Sequence, residues 1–258
     1  MTTASARGAW LLVQRILAIA VLLGLWQAVV ASGVLPSMVP GVGAVASAVA
    51  ASLVNPAFWQ ALGMTLLAAL AGWLIATVVG VVLGLLIGSI RFLDRSTSIL
   101  IDFGRSFPVL ALMPVVIMLL GSNSRMEIVV VALSALWPIL IQTSYGARRQ
   151  EAAVADTVAV FRIPPMLRFR RVLLPGAMPF IATGVRISSA ISILVAVGVE
   201  VISQAPGIGR QITLMQQNAS WDLAFAYLLF TGFVGWTLAV LLQRLETRAL
   251  TWKRQTDD

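Results

Sequence analysis

Ala61-Leu-Gly-Met-Thr-Leu-Leu-Ala-Ala-Leu-Ala-Gly72-Trp-Leu-Ile-Ala-Thr-Val-Val-Gly80-Val-Val-Leu-Gly84-Leu-Leu-Ile-Gly88-Ser-Ile90 carries no charged side chain from end to end. A helix of roughly 20 apolar residues crosses a bilayer core of about 30 Å, and this run is longer, with room to tilt. In hydrocarbon the backbone polar groups must be paired within the segment, which a helix achieves. Gly72, Gly80, Gly84 and Gly88 recur at spacings of four and eight. That spacing sets them on one helical face, a stripe of small residues against which a second helix can pack closely.

The same reading extends outward to further spans at Trp10 to Ala31, Ile99 to Leu120, Met126 to Tyr145, Pro179 to Ile202 and Leu223 to Leu242. The expected fold is therefore an all-α integral membrane protein of about six transmembrane helices. The first run competes with a signal peptide. It is long for such a segment, Arg15 interrupts its start and further spans follow, so it reads as an uncleaved first helix. Ser32 to Gln60 lacks charge and contains Pro36, Pro40 and Pro56, which suits an external loop with short interfacial pieces. The chain divides into residues 1–60, a core of 61–250 and a tail of 251–258.

Composition agrees. Hydrophobic residues make up 59% and charged residues 11%, against about 25% charged in a soluble domain; mean hydropathy is +0.95. The net charge of +8 does not indicate nucleic acid, because the basic residues form short clusters between apolar runs, as topology determinants do. With the N-terminus in the cytoplasm, the inside segments collect Arg91, Arg95, Arg148, Arg149, Arg162, Arg168, Arg170, Arg171, Arg244 and Arg248. The outside segments hold Arg125 and Arg210, and Arg105 and Arg186 lie in helices near their inner ends. Both termini are thus expected inside. Cysteine and histidine are absent, and the ten Asp and Glu are scattered. No catalytic or metal-binding constellation is expected, nor does any Gly-x-x-x-x-Gly-Lys-Ser/Thr loop for ATP occur.

The decisive inside loop reads Asp156-Thr-Val-Ala-Val-Phe-Arg162-Ile-Pro164-Pro165-Met-Leu-Arg168-Phe169-Arg-Arg-Val-Leu-Leu174-Pro175. Pro164 biases Ile163 away from helical geometry, and Pro164 or Pro165 suits the first turn of a new helix. Met166, Leu167 and Phe169 then place apolar contact beside Arg168, Arg170 and Arg171. A short exposed amphipathic helix of this kind suits a partner's groove; resting on anionic lipid is the alternative.

This loop resembles the permease subunits of binding-protein-dependent ABC importers. Their signature is a Glu-Ala-Ala opening, a Gly six residues after the Glu, and a later Phe-x-x-Val-x-Leu-Pro. Starting from Asp156, Phe169, Val172, Leu174 and Pro175 fall on the family positions. Asp156-Thr157-Val158 then replaces Glu-Ala-Ala, and Arg162 stands where the family has Gly. The literal Glu151-Ala152-Ala153 would need a five-residue insertion, and reads as a decoy. The resemblance implies a type I importer-like fold in which the loop at 146–175 couples to an ATPase. Its contact residues would be Asp156, Arg162, Pro164, Pro165, Met166, Leu167, Arg168, Phe169, Arg170, Leu174 and Pro175.

Arg105-Ser-Phe-Pro108-Val-Leu-Ala-Leu-Met-Pro114 is similar to a Pro-x-x-Ala-Leu-x-Pro segment of the nitrate/sulfonate/taurine importer group. Glu200 followed by Pro206-Gly-Ile-Gly209 is similar to that group's Glu and Gly-x-Gly turn. The resemblance spans approximately residues 60 to 250. It implies a bacterial inner-membrane complex of two permeases, a cytoplasmic ATPase dimer that uses ATP and Mg, and an external binding protein. This chain itself would bind no cofactor. The implied solute is a small anion such as nitrate, taurine or another sulfonate, with a pyrimidine vitamin precursor as the alternative.

Pro108, Pro114, Arg186 and Glu200 are the candidate pathway or gate residues. The two prolines are expected to shape a broken helix. An acid within a span is costly and often functional, although Glu200 has the simpler option of interfacial water or Arg210. Arg186 has that of snorkelling or an intersubunit pair. Asp102 and Arg105 are spaced to pair on one helix face. A secondary transporter or channel would need inverted repeats or several midplane acids, and the sequence displays neither.

Overall fold

The computed structural model describes residues 3–149 and 160–249. They fold into α1 (Thr3–Ala31), α2 (Val42–Leu53), α3 (Pro56–Ser89), α4 (Arg91–Ser106), a 3-10 turn (Val109–Leu112), α5 (Met113–Leu120) and α6 (Ser124–Arg148). Beyond residue 160 come α7 (Pro165–Arg168), a π-helical turn (Phe169–Leu173), α8 (Leu174–Ser203), α9 (Ile208–Gln217) and α10 (Trp221–Ala249).

Among the described residues, five helical stretches are long and apolar enough to cross a membrane: Val13–Ala31, Pro56–Ser89, Ser124–Arg148, Pro165–Ser203 and Trp221–Arg244. A sixth crossing requires counting α4 with Val109–Leu120 as one span, although the two meet at a 79° bend. The break expected from Pro108 and Pro114 is present, and the structure moves the start of the segment from Ile99 back to Arg91. The break falls at Phe107 and Pro108, both extended, because a residue before proline avoids helical geometry. Pro114 lies in the first turn of α5, where its missing N–H costs no hydrogen bond. The basic Arg91–Arg95 segment, expected as a turn, is the first turn of α4.

Among the described residues, 60–149, 160–210 and 231–249 form one compact unit, and 3–59 with 211–230 another. In the larger unit the glycine stripe of α3 lies directly on α6. A Cβ on Gly72 would come within 2.7 Å of Val131, one on Gly80 within 2.9 Å of Ile139, and one on Gly84 within 2.6 Å of Thr143. On Gly88 it would strike the Ser144 carbonyl. Ala76, Ala135 and Ile139 pack together beside this contact. Helix α8 also packs on α6, where a Cβ on Gly184 would sit 3.0 Å from the Ile139 backbone. Trp73 of α3 ties to α8 by donating to the Val185 carbonyl and the Ser188 hydroxyl, each at 3.0 Å.

The ends of α6 and α8 are locally specified. Gly121 at φ +72 stops α5, and the Asn123 side chain caps α6 by accepting from the Arg125 and Met126 amides. Gln204, left-handed at φ +58, closes α8. In the smaller unit Phe58 is fully buried, edge-on to Tyr227 and Phe230 at 4.8 and 4.9 Å, an arrangement that ring quadrupoles favour. The Val42 amide donates to Gln27 at 2.9 Å.

Candidate functional site

Two regions collect the candidate residues, one at the cytoplasmic end of α8 and one inside the larger unit. Asp156 lies outside the described residues. From Val160 onward the inside loop is described, and it presents apolar surface: Phe161 is 74% exposed, Met166 69% and Leu167 48%. Arg168, Arg170, Arg171 and Pro175 are exposed beside them, with Leu174 half-buried. Leu173 is buried and anchors the segment. Such apolar groups beside arginines at the end of a rigid helix make a surface suited to a partner's groove.

Arg162 takes φ +50. That is the left-handed region which glycine enters freely and other residues enter at a cost of about 1–2 kcal/mol. The break expected from Pro164 is accompanied by this left-handed turn at Arg162. Pro164 is extended and α7 starts at Pro165, yet the chain also adopts the backbone conformation suited to a glycine at 162. Arg162→Gly is accordingly expected to raise stability by up to about 1 kcal/mol, read as a higher thermal midpoint. An unchanged or lower midpoint would count against strain at this position. Beyond it, Phe169–Leu173 forms a π-helical turn that leads into α8, a feature enriched at functional positions.

The second region is a cavity of about 390 Å³ lined by Arg105, Pro108, Ser134, Trp137, Pro138 and Ile191, among others. The 79° break at Pro108 opens it, because α4 and the 3-10 turn diverge there. Trp137 packs so closely on α4 that a Cβ at Gly104 would overlap its ring. Arg105 at the cavity wall donates through Nε to Asp102 at 3.0 Å, the pair expected from their spacing. Of the four pathway candidates, only Pro108 lines this cavity. Pro114 is exposed on α5. Arg186 forms an ion pair with Glu246 of the same chain at 3.5 Å.

Glu200 is fully buried, and its Oε2 accepts the Gly209 amide at 2.7 Å. It pairs with no arginine among the described residues, and Arg210 is exposed. Sequence reasoning missed Arg105 and Trp137 as cavity residues, and it missed Glu127, a second fully buried acid in the first turn of α6. The signal for Glu127 was present as an acid at the second position of the apolar run that begins at Met126, but its closeness to the polar turn at 121–125 disguised it. Among the described residues no group of three or more His, Cys, Asp or Glu could hold a metal ion.

Residues 76–249 match the model of a family described as "Binding-protein-dependent transport system inner membrane component". The nitrate import permease protein NrtB of Synechocystis sp. is 31% identical over 239 residues, covering 89% of this chain and 86% of that protein. The putative aliphatic sulfonates transport permease protein SsuC of Bacillus subtilis is 26% identical, covering 91% and 85%. Among solved structures, an inward-facing form of the MetNI methionine ABC transporter superposes with a TM-score of 0.65 at 17% identity. The match covers 75% of this chain and 98% of that one.

Proposed function

Because this chain belongs to the family of binding-protein-dependent transport system inner membrane components, we propose that two copies of it enclose a pathway for a small anion of the nitrate or sulfonate type. The permease role itself follows from family membership. The chain is a multi-pass inner-membrane subunit of an ABC importer, a transporter rather than an enzyme. Its ATP is hydrolysed by a separate ATPase, and a binding protein delivers the solute.

The observation that carries the mechanism is the exposed amphipathic segment at 160–171, rigidly joined through the π-helical turn to α8. A push on α7 by an ATPase docked there would pass along one continuous helix to Glu200 near the outer end. Asp156 and Arg162 would shape that docking loop, with Pro164, Pro165, Met166, Leu167, Arg168, Phe169 and Arg170 as its contact surface and Leu174 and Pro175 as its anchor. The cavity at the Pro108 break, with Arg105 in its wall, is read as part of the pathway. An anion is supported by the guanidinium there and by what the named relatives carry.

The test is reconstitution of the chain in liposomes with the ATPase and binding protein of its own transport system. ATP-dependent uptake of labelled nitrate or taurine is expected, and a crosslink between two copies of this chain should form within the complex. Uptake that proceeds equally without ATP would instead favour a secondary transporter, and uptake of a pyrimidine alone would overturn the anion assignment.

A further inference from the structure

Two carboxyl groups meet inside the larger unit with no basic side chain to balance them. Glu127 in the first turn of α6 and Glu200 in the last turn of α8 are both fully buried, and their side chains lie within hydrogen-bonding reach of each other. One Glu200 oxygen accepts the Gly209 amide, and the Thr65 hydroxyl of α3 borders the same carboxyl. The other Glu200 oxygen and both oxygens of Glu127 receive no hydrogen bond from any donor among the described residues. Arg125, on the same helix as Glu127, and Arg210, on α9, are the nearest basic residues in sequence, and both are exposed. The remaining surroundings are apolar: Met126, Val130, Val199 and Ala205 form one buried cluster here.

An ionised carboxylate only accepts hydrogen bonds, and two of them in contact cannot both stay charged in a poorly solvated site. A proton between them turns repulsion into a short O–H···O⁻ hydrogen bond, which is among the strong kinds. A divalent cation would need about six or more oxygen ligands, whereas only three carboxyl oxygens are open here.

We propose that Glu127 and Glu200 form a proton-binding site, sharing one proton in a carboxylic acid–carboxylate hydrogen bond that fastens the outer end of α8 to α6. The second Glu200 oxygen extends the fastening to the turn at Gly207-Ile208-Gly209. A Cβ on Gly207 would overlap the Glu200 carboxyl, and one on Gly209 would come within 2.5 Å of the Val197 carbonyl. Glycine at both positions is what lets the turn lie against the acid. Any movement that draws α8 from α6 must leave the proton on one carboxyl or release it. The inference concerns contacts within this chain and holds whichever solute is carried.

The test is infrared difference spectroscopy of the assembled transporter, wild type minus Glu127→Gln, so that signals from the partner subunits cancel. A carboxylic-acid C=O band present in the wild type and lost in the variant is expected. Should Glu127→Gln fail to assemble, the wild-type band must shift when this chain alone carries ¹³C-labelled glutamate, and must not shift with ¹³C-labelled aspartate. Absence of the band, its persistence in Glu127→Gln, or a shift with the aspartate label would each overturn the proposal. Thermal stability that tracks sodium or potassium concentration, with no acid band, would replace the proton by a metal cation.

Discussion

Purified in detergent with Phe169→Asp and Arg170→Glu, the permease is expected to come away without its ATPase, while the unaltered chain retains it. Phe169 is 37% exposed at the junction of α7 and the π-helical turn, and Arg170 is the next residue, also exposed. Aromatic and arginine side chains are the usual anchors of protein interfaces, and losing one costs about 2 kcal/mol or more. Two together, one of them with its charge reversed, weaken the complex by about a thousandfold. Since both side chains are exposed, the variant should keep its thermal midpoint. ATPase retention by a folded variant would move the docking surface elsewhere, towards the lipid-facing reading of the same arginines.

How far this arrangement could be read in advance depended on whether the information was local. The spans were legible because uninterrupted apolar runs have one solution in hydrocarbon. The glycine stripe at 72, 80, 84 and 88 was legible because its period names a face, and that face now lies on α6. The break in the third span was legible at Pro108, but the start of the segment was misplaced at Ile99, because Arg91–Ser106 is amphipathic, carries Arg91, Asp94, Arg95, Asp102 and Arg105, and has no buried residue. Hydropathy along the chain does not register a 79° change of direction. Contacts distant in sequence were out of reach. Arg186 gave no indication of Glu246, sixty residues on, nor Glu200 of Glu127. Arg162 is an intermediate case. A missing glycine was visible by resemblance, but only the backbone reveals that the glycine conformation persists without the glycine.

The pathway makes the second large prediction, and its sign is set by one ion pair. Among the described residues, Arg105 is the only cationic one lining the cavity at the Pro108 break, and Asp102 occupies its Nε at 3.0 Å. If a small oxyanion passes here, the two must compete for the same guanidinium. Arg105→Gln is then expected to lower ATP-driven anion uptake at limiting substrate by about tenfold, equivalent to about 1.4 kcal/mol, the scale of a hydrogen bond to a charged group. Arg105→Lys should recover part of the loss, because it keeps the charge but not the planar fork. Asp102→Asn should act in the opposite direction, lowering the apparent KM as it frees the guanidinium. The pair is more than half exposed and weakly stabilising at such exposure, so none of these changes should disturb folding. A structural pair would respond equally to loss of either partner, whereas competition for a solute makes the two substitutions diverge. Equal losses from Arg105→Gln and Asp102→Asn would remove this cavity from the anion's route.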